Sequence, residues 1–535
     1  MSRISAIILG IDGMDFEMAV KFSDSGLMPA LSRIRQNGAF LKAKSPIPPI
    51  TPTCWTTIAT GTNPGTHGVF DFGTRLDNSY EIRLINSNDI SAPRFWDYFP
   101  EGITAGILNL PLCWPPRPIS GFMICGMDTP SIQKGVWPPE LINEIPADYL
   151  IDTMVHWRNN ISGFYDEVIR MMHIRHSFFM DLIRKKVPNI AMPIYVELDR
   201  LCHAFFGSDQ DQLIQRAYIE IDSIIDDWAN LAQAHGAFLM IISDHGFSKL
   251  EFDLFPNALF LQENLMAFSP EKVRSYIIPD QSFPDDLRHH WHDLLKQKLP
   301  FRPLPSKDVS IIKGEIDPRY KVFSNLDWSK TFAYSHGLSC GIYLNLQGRE
   351  SEGIVNPGKD AEKISDQIIN LFMKLKSPSG EPIINKVWRR EELFIGKMAH
   401  RSPDLILEPA KWASTTRGAT EFLSVDPIAP PAVNHTGHHN LSACFGMLGD
   451  PIRAGITGEC NLVDFAPCLF ALLDLPFPSQ IEGRLLSDAF STRYLSKHPI
   501  IDLRSIPSKT AQPIKQDDHD NEEIMKRLKG IGYFG

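Results

Sequence analysis

Aspartate and histidine side chains occur at four places in the sequence in combinations that suit a bound metal ion. The residues concerned are Asp12, Asp199, His203, Asp244, His245, His435, His438 and His439. An aspartate and a histidine four residues apart can face one ion from a single helical turn, and mixed ligation of this kind suits zinc, with manganese or iron as alternatives. Two such ions about 4 Å apart can stabilise both the attacking and the leaving oxygen of a displacement at phosphorus. The pattern therefore predicts phosphoryl-transfer chemistry.

Thr51 is the candidate nucleophile for such a reaction. It opens the stretch TPTCWTTIATG, in which Thr51 suits the N-cap of a short buried helix, Pro52 the first helical position and Gly61 the end of the helix. This arrangement places the Thr51 hydroxyl at the positive end of a helix dipole, which favours a developing alkoxide. No histidine or lysine lies beside Thr51 in the sequence, so we expect a metal ion to activate it.

Each of these fragments also has an ordinary structural explanation. The spacing of Asp199 and His203 arises by chance in most large proteins, and Asp12 could be a turn residue. Asp244 and His245 are harder to explain by packing, because they follow six apolar residues. The order of the fragments and their shared position at the ends of apolar runs favour one common site.

The elements that would position these side chains alternate between strands and helices. Apolar runs at 4–12, 39–41, 104–110, 189–198 and 237–242 predict strands, and 15–36 and 217–234 read as helical. Further strands are expected at 341–345, 404–407 and within 434–447, with helices at 360–375 and 465–473. This alternation predicts an α/β fold with a doubly wound, mostly parallel sheet and helices on both faces. Ligands bind at the carboxyl ends of such strands, where we expect Asp12, Asp199 and Asp244.

The chain length favours one large domain over residues 1–490, followed by a tail. Within the domain we predict a mostly helical segment at about 138–186. An irregular, Pro-rich, cap-like insertion is predicted at about 247–327. Residues 491–535 are polar and predict a flexible tail with a short helix at 522–529.

The overall composition excludes several classes of protein. A formal net charge of -10 gives no sign of a nucleic-acid surface, and no apolar run approaches the length of a membrane span. The eight cysteines are scattered without zinc-knuckle or disulfide spacing, and the first residues lack a secretory signal pattern. We expect a reduced, cytoplasmic protein that acts on a small-molecule phosphate ester and does not bind nucleic acid. The oligomeric state cannot be deduced from the sequence.

At these residues the sequence resembles the alkaline phosphatase superfamily, most closely the bacterial and archaeal branch of the type I phosphodiesterase/nucleotide pyrophosphatase family. The family pattern is an Asp after the first strand, a Thr nine residues before Thr-Gly, a His-Gly, Asp-x-x-x-His, Asp-His-Gly and a late Gly-x-His. The pattern corresponds here to Asp12, Thr51 before Thr60-Gly61, His67-Gly68, Asp199 and His203, Asp244-His245-Gly246, and Gly437-His438-His439. Matching segments at 348–350, 403–405, 464–467 and 482–484 extend the resemblance over nearly the whole chain.

The resemblance implies an alkaline-phosphatase-like fold and two divalent metal ions. It assigns one ion to Asp199, His203 and His439, and the other to Asp12, Asp244, His245 and Thr51. It further implies that Thr51 attacks phosphorus to form a covalent phospho-threonine, which water then hydrolyses. His438 or His435 could replace His439. Thr53 could replace Thr51, although the spacing to Thr60-Gly61 favours Thr51.

The sequence departs from the family pattern beyond the nucleophile. Nucleotide pyrophosphatases carry an Asn roughly twenty residues after the nucleophile, whereas this chain has Asp71-Phe72 there. A carboxylate would repel a phosphate dianion, so a preference for nucleotide diesters does not carry over. Pro52 also stands one position earlier than in the pyrophosphatases.

The main hypothesis is a two-metal phosphodiesterase, and four alternatives remain. These are a phosphomonoesterase, a mutase-like phosphoryl or head-group transferase, a catalytically silent binding protein and a sulfatase. The sulfatase hypothesis rests on Cys113 in the stretch CWPPR, but the Thr-Gly pair lies at the right distance from Thr51 instead. Other histidines are interpreted as ordinary helix residues, namely His173, His176, His289, His290 and His292. The role of Arg349 and Glu350 stays open.

Overall fold

The computed structural model describes residues 3–155, 160–267, 269, 326–336, 340–417, 427–431, 436–476, 478–497 and 518–530. Most of the predicted cap lies outside these residues, as do His435, His289, His290 and His292.

Regular structure covers most of the described residues. In chain order, strands β1 to β20 are Ala6–Ile11, Ala39–Lys44, Gly73–Arg75, Ile82–Leu84, Ala105–Leu110, Gly121–Cys125, Val136–Trp137, Ile190–Tyr195, Phe238–Ile242, Gly246–Lys249, Phe252–Leu254, Ala333–Tyr334, Gly341–Leu344, Ile384–Arg389, Leu405–Pro409, Ser414–Thr416, Ile428–Ala429, Gly437–Asn440, Ser442–Leu448 and Glu459–Asn461. Helices α1 to α13 are Phe16–Asp24, Pro29–Asn37, Thr51–Thr60, Pro64–His67, Ile161–Lys186, Glu197–Phe205, Asp211–His235, Pro256–Gln262, Lys359–Met373, Arg390–Leu393, Phe465–Leu472, Thr492–Lys497 and Asp518–Gly530.

Nine of the described strands form one large sheet at the centre of the fold, in the order β20-β2-β19-β9-β1-β8-β5-β6-β7. Five of the eight neighbouring pairs are parallel, and β19 and β7 supply the antiparallel ones. All six residues of β1 are buried, which is typical of a parallel strand covered on both faces. The predicted doubly wound, mostly parallel sheet is confirmed.

Helices cover this sheet on both faces and enclose two apolar cores. One core contains side chains of α3 and α11, including Trp55 and Phe465. The other contains side chains of α1, α2, α5, α6 and α7, including Trp228. The two cores hold the central strands in place, so the carboxyl ends of β1 and β9 form a rigid base for polar side chains.

A smaller antiparallel sheet lies outside the central one. Its order is β12-β13-β15-β14, and it packs with α8 and α9 around a separate apolar cluster. The sequence predicted β13, β15 and α9 but not β12, β14 or α8, and it gave no sign that these elements form a second sheet.

Several helix boundaries differ from the predictions. The helical stretch at 15–36 is two helices, because Gly26 adopts a left-handed conformation (φ +80°) and Pro29 starts α2. The strand predicted at 189–198 ends at Tyr195, so Asp199 lies in the first turn of α6 and not at a strand end. Between 138 and 186, the described α-helix is confined to α5.

The described start of the predicted cap belongs to the core of the fold. β10 pairs with β18, and this pairing sets Phe247 directly opposite His439. Phe247 is buried and its ring contacts the His203 and His439 rings edge to face. An irregular insertion therefore does not begin as early as residue 247.

The last described helix, α13, is docked against the body of the protein. Ile524 and Leu528 are buried in the apolar core that contains α3. Arg527 donates hydrogen bonds to backbone carbonyls of the 127–130 segment, and Lys134 pairs with Asp520. This packing differs from the flexible tail that the sequence predicts. No described helix is both long and apolar enough to cross a lipid bilayer.

Candidate two-metal active site

The candidate site lies at the carboxyl edge of the central sheet. Asp12 directly follows β1, and Asp244 and His245 lie in the short connection between β9 and β10. Helix α6 contributes two further side chains, and β18 contributes His439. The sheet topology therefore brings together six residues from four parts of the chain: Asp12, Asp199, His203, Asp244, His245 and His439.

The first set of side chains consists of Asp199, His203 and His439. His439 Nε2 lies 3.1 Å from Asp199 Oδ1 and 3.0 Å from His203 Nε2. His203 Nε2 lies 3.4 Å from the same Asp199 oxygen. The i, i+4 spacing on α6 therefore presents both side chains to one point, as the sequence predicts.

The second set consists of Asp12, Asp244 and His245. His245 Nε2 lies 3.1 Å from Asp244 Oδ2 and 3.5 Å from Asp12 Oδ1. The two sets adjoin each other, because His245 Nε2 is 3.9 Å from Asp199 Oδ1 and the His245 and His439 rings stack at 3.5 Å. Two ions held by these sets would be close neighbours.

Backbone groups fix the orientation of the three imidazoles. The Nδ1 atoms of His203, His439 and His245 lie 3.1, 2.9 and 3.3 Å from the carbonyl oxygens of Gly437, Pro49 and Gly246. When Nδ1–H donates to a carbonyl, Nε2 carries the lone pair. Each Nε2 then points into the site as a neutral nitrogen ligand.

Hydrogen bonds also orient the carboxylates of the second set. Trp55 Nε1 donates to Asp12 Oδ2 at 2.9 Å, and the Gly13 backbone N–H donates to Asp244 Oδ1 at 3.1 Å. Gly10 leaves room for the indole, since a Cβ there would lie 2.7 Å from Trp55 Cη2 and 2.3 Å from Ile194 Cδ1. In each carboxylate one oxygen is engaged and the other faces His245.

The buried carboxylates fit a pair of bound cations. Asp12 Oδ1 and Asp244 Oδ2 are buried and accept no hydrogen bond from any described residue. Leaving such oxygens unpaired in the interior is costly unless a cation or donor meets them. The mixed oxygen and nitrogen donors suit zinc, with manganese and iron as alternatives.

The electrostatics of the site follow from burial and charge proximity. Burial and the neighbouring carboxylates raise the pKa of Asp12 and of Asp244 well above the ordinary value. Burial acts in the same direction on Asp199, but His203, His439 and Arg200 outweigh it and lower its pKa. Burial lowers the pKa of His203 to about 3, so this imidazole is neutral and can act as a ligand.

Thr51 lies next to the second set. Its Oγ1 is 3.2 Å from His245 Nε2, and the whole residue is buried. The sequence places Thr51 at the N-cap, whereas the structure has Ile50 as N-cap and Thr51 as the first residue of α3. Gly61 ends the helix in a left-handed conformation, as predicted. The shift of one position leaves the hydroxyl at the positive end of the helix.

Thr53 and His438, the alternatives to Thr51 and His439, have different surroundings. Thr53 Oγ1 is buried and makes no hydrogen bond within the described chain. The ring of His438 stacks on the ring of His439, with 5.1 Å between the ring centres. It is His439, and not His438, that lies with Asp199 and His203 in the first set. The geometry therefore favours Thr51 and His439.

Other residues singled out from the sequence have structural partners. The Cys113 thiol donates to the Leu110 carbonyl oxygen, and Arg349 Nε donates to Glu350 at 2.8 Å. His173 lies 3.0 Å from Glu220, and His176 contacts the Tyr195 hydroxyl. The contacts of His173 and His176 fit their interpretation as ordinary helix residues.

His67, which belongs to the family pattern, also has a structural role. Its Nδ1 accepts a hydrogen bond from the Val69 backbone N–H, so its Nε2–H donates to Thr57 Oγ1 at 3.0 Å. The ring thus ties α4 to α3 behind the nucleophile.

Sequence reasoning did not single out three residues that support the ligands: Trp55, Arg200 and Asp152. Trp55 reads as an apolar helix residue, and only the glycine within the first strand hinted at a bulky neighbour. Asp152 lies 48 residues from Arg200, and no local pattern connects the two.

A mostly parallel, doubly wound sheet with Asp/His sets at its carboxyl edge and a threonine at a helix N-terminus defines an alkaline-phosphatase-like metal-dependent hydrolase of phosphoric esters. The sequence profile described as "Type I phosphodiesterase / nucleotide pyrophosphatase" matches residues 6–439. The chain belongs to this family. No curated protein sequence matches the chain.

Solved structures that resemble the chain include two hydrolases of phosphorus compounds. Phosphonoacetate hydrolase from Sinorhizobium meliloti 1021, in complex with phosphonoformate, is 17% identical, with a TM-score of 0.51. The match covers 88% of this chain and 96% of the hydrolase. Murine ectonucleotide pyrophosphatase/phosphodiesterase 5 is 13% identical with a TM-score of 0.47, over 91% of this chain and 100% of that one.

Proposed function

We propose that the protein is a two-metal phosphodiesterase that works through a covalent phospho-threonine on Thr51. The observation that carries the proposal is the position of Thr51 Oγ1, 3.2 Å from His245 Nε2, at the junction of the two ligand sets. Asp199, His203 and His439 would hold one ion, and Asp12, Asp244, His245 and Thr51 the other. Zinc is our preferred metal for both sets.

Two divalent ions bound in these sets would lower the pKa of the Thr51 hydroxyl and stabilise the charge on the leaving oxygen. The chain itself aligns the reacting groups. Thr51 Oγ1 gives its proton to solvent water and forms a bond to phosphorus, while the ester oxygen of the leaving group departs with its electron pair and takes up a proton from solvent. Water then attacks phosphorus and displaces Oγ1, which takes up a proton from that water as threonine is regenerated. The start of α3 favours the negative charge on Oγ1, because its first backbone N–H groups have no partner within the helix.

The substrate is proposed to be a small phosphate diester, with a monoester or an organic phosphoryl acceptor as alternatives. The eight cysteines are all buried and none forms a disulfide, which supports our proposal of a cytoplasmic location. We further propose that residues 1–490 act as one catalytic unit.

Hydrolysis of bis-(p-nitrophenyl) phosphate and of p-nitrophenyl phosphate by zinc-loaded protein tests the proposal. We expect faster turnover of the diester, loss of activity on chelation and its recovery on adding zinc. Thr51→Ala should lower kcat/KM by at least ~10³-fold, because it removes the attacking oxygen.

Thr53→Ala is the matched control, because this buried threonine lies on the same helical turn and its hydroxyl makes no hydrogen bond to a described residue. It should keep activity within about threefold of the wild type, as expected for a side chain outside the reaction. A Thr51→Ala protein that turns over the diester at the wild-type rate would exclude the covalent mechanism.

A further inference from the structure

Arg200 lies immediately after the ligand Asp199 on α6 and is almost completely buried, with 1% of its surface exposed. Its guanidinium joins two carboxylates. Nη1 donates to Asp199 Oδ2, while Nε and Nη2 donate to the Asp152 carboxylate at 3.1 and 2.8 Å. Nη2 also lies 2.8 Å from Met127 Sδ. A planar guanidinium with donors on two edges can serve both carboxylates at once, which a lysine ammonium cannot do in this geometry.

This arrangement divides the two oxygens of Asp199 between different partners. Oδ2 is engaged by Arg200, whereas Oδ1 points towards His439 and His203 at 3.1 and 3.4 Å. An aspartate without such a partner can rotate or bind a metal through both oxygens. Here only one oxygen is directed into the site.

We propose that Arg200, anchored by the buried Asp152, is a positioning residue that makes Asp199 bind the first metal ion through Oδ1 alone. The inference rests on the proposed function, because it assumes that Asp199, His203 and His439 hold an ion. It adds a role for two residues that do not themselves meet the metal. The buried Asp152 supplies the opposing charge that keeps the guanidinium in place in the interior.

Zinc titration of metal-free full-length protein against a chromophoric chelator tests this proposal. The binding measurement needs no catalysis. Arg200→Met should bind the second ion as the wild type does and the first ion ~10–100-fold more weakly, the range found when the partner of a metal ligand is lost. Arg200→Lys should resemble Arg200→Met, since one ammonium cannot replace both edges of the fork.

Two further variants make the result specific. An Asp12→Asn background disables the second set, so the affinity of the first set can be measured by itself. Arg349→Met is the matched control, because Arg349 forms a two-pronged ion pair with Asp404, at 2.8 and 2.7 Å, beside the smaller antiparallel sheet. This control should leave both zinc affinities unchanged.

Asp152→Asn keeps the size of the side chain and covers the case in which Arg200→Met does not fold. It should weaken binding of the first ion severalfold without affecting binding of the second. Wild-type affinity for both ions in a folded Arg200→Met, equal weakening of both ions, or unchanged affinity in Asp152→Asn would each overturn the proposal. Failure of the wild type to bind zinc would instead contradict the proposed function.

Discussion

At the scale of single residues, the site depends on side chains with two polar atoms. One atom of each side chain points into the site, and the other is fixed by a hydrogen bond to the surrounding protein. Asp12 and Asp244 each give one oxygen to a donor and leave the second for the site. The histidines do the same with their two ring nitrogens. Directional hydrogen bonds of this kind reduce the reorganisation needed on metal binding and raise affinity.

Trp55 provides a test at this scale. Trp55→Phe keeps an aromatic ring in the core but removes the N–H that meets Asp12 Oδ2 at 2.9 Å. We expect the second metal ion to bind ~10-fold more weakly, because a buried carboxylate oxygen loses its donor. Zinc titration of the folded variant measures the change.

Trp228→Phe is the control for Trp55→Phe. Its indole N–H also makes a buried 2.9 Å hydrogen bond, but to the Tyr195 hydroxyl and away from the ligands. It should lose stability without a change in zinc affinity. If both variants bind zinc equally well, the Trp55 hydrogen bond does not tune the site.

At the scale of elements, the position of each ligand follows from where a strand or helix ends. Asp12, Asp244 and His245 could be placed from the sequence because apolar strands stop directly before them. The sequence predicts Asp199 at the end of a strand, but helix α6 begins two residues before it. Asp199 is still correctly paired with His203, because the four-residue spacing that predicts their pairing also holds on this helix. The support from Asp152 and Trp55 could not be predicted, because it depends on tertiary packing between distant segments.

The contact between α3 and α4 predicts a pH-dependent contribution to stability. Burial lowers the pKa of His67 to about 3, so the folded state holds it neutral whereas the unfolded chain protonates it near pH 6.5. Since the unfolded state binds the extra proton, stability is lost as the pH falls below 6.5. Between pH 7 and pH 5 this residue alone should cost about 2 kcal/mol of unfolding free energy.

Urea unfolding of metal-free wild type and His67→Gln at both pH values measures this contribution. At pH 7 the variant should be less stable by about 1–2 kcal/mol, because it disturbs two buried hydrogen bonds. At pH 5 the difference should vanish or reverse, since glutamine does not titrate. A difference that is the same at both pH values would mean that His67 is not the titrating group.

At the scale of the whole molecule, segments far apart in the chain pack together on one face of the central sheet. Helix α13 packs beside α3, and Ile524 and Leu528 line a small cavity together with Pro52 and Met127. Met127 in turn contacts Arg200 through its sulfur atom. Helix α13 therefore supports the edge of the sheet that carries the ligands.

Leu528→Ala tests the docking of this helix. Leu528 is 1% exposed, and shortening it should destabilise the protein by about 2 kcal/mol or more, up to the free energy with which the helix docks. Hydrogen exchange of the α13 amides should also become faster. Both can be measured on the metal-loaded protein.

Lys526→Ala is the control, because residue 526 lies on the exposed side of the same helix. It should change neither stability nor exchange by a measurable amount. Equal behaviour of the two variants would show that α13 is not held by its apolar side chains in solution.

The position of α13 also has a consequence for the order in which the protein can be completed during synthesis. Translation proceeds from the N-terminus, so the nucleophile helix and the first sheet strands emerge long before residues 518–530 exist. Until residues 518–530 have left the ribosome, the apolar strip around Pro52 and Phe72 that α13 covers has no partner from that helix. The nascent protein must therefore pass through a stage in which the ligand-bearing edge is assembled but still exposes a hydrophobic surface that chaperones can bind.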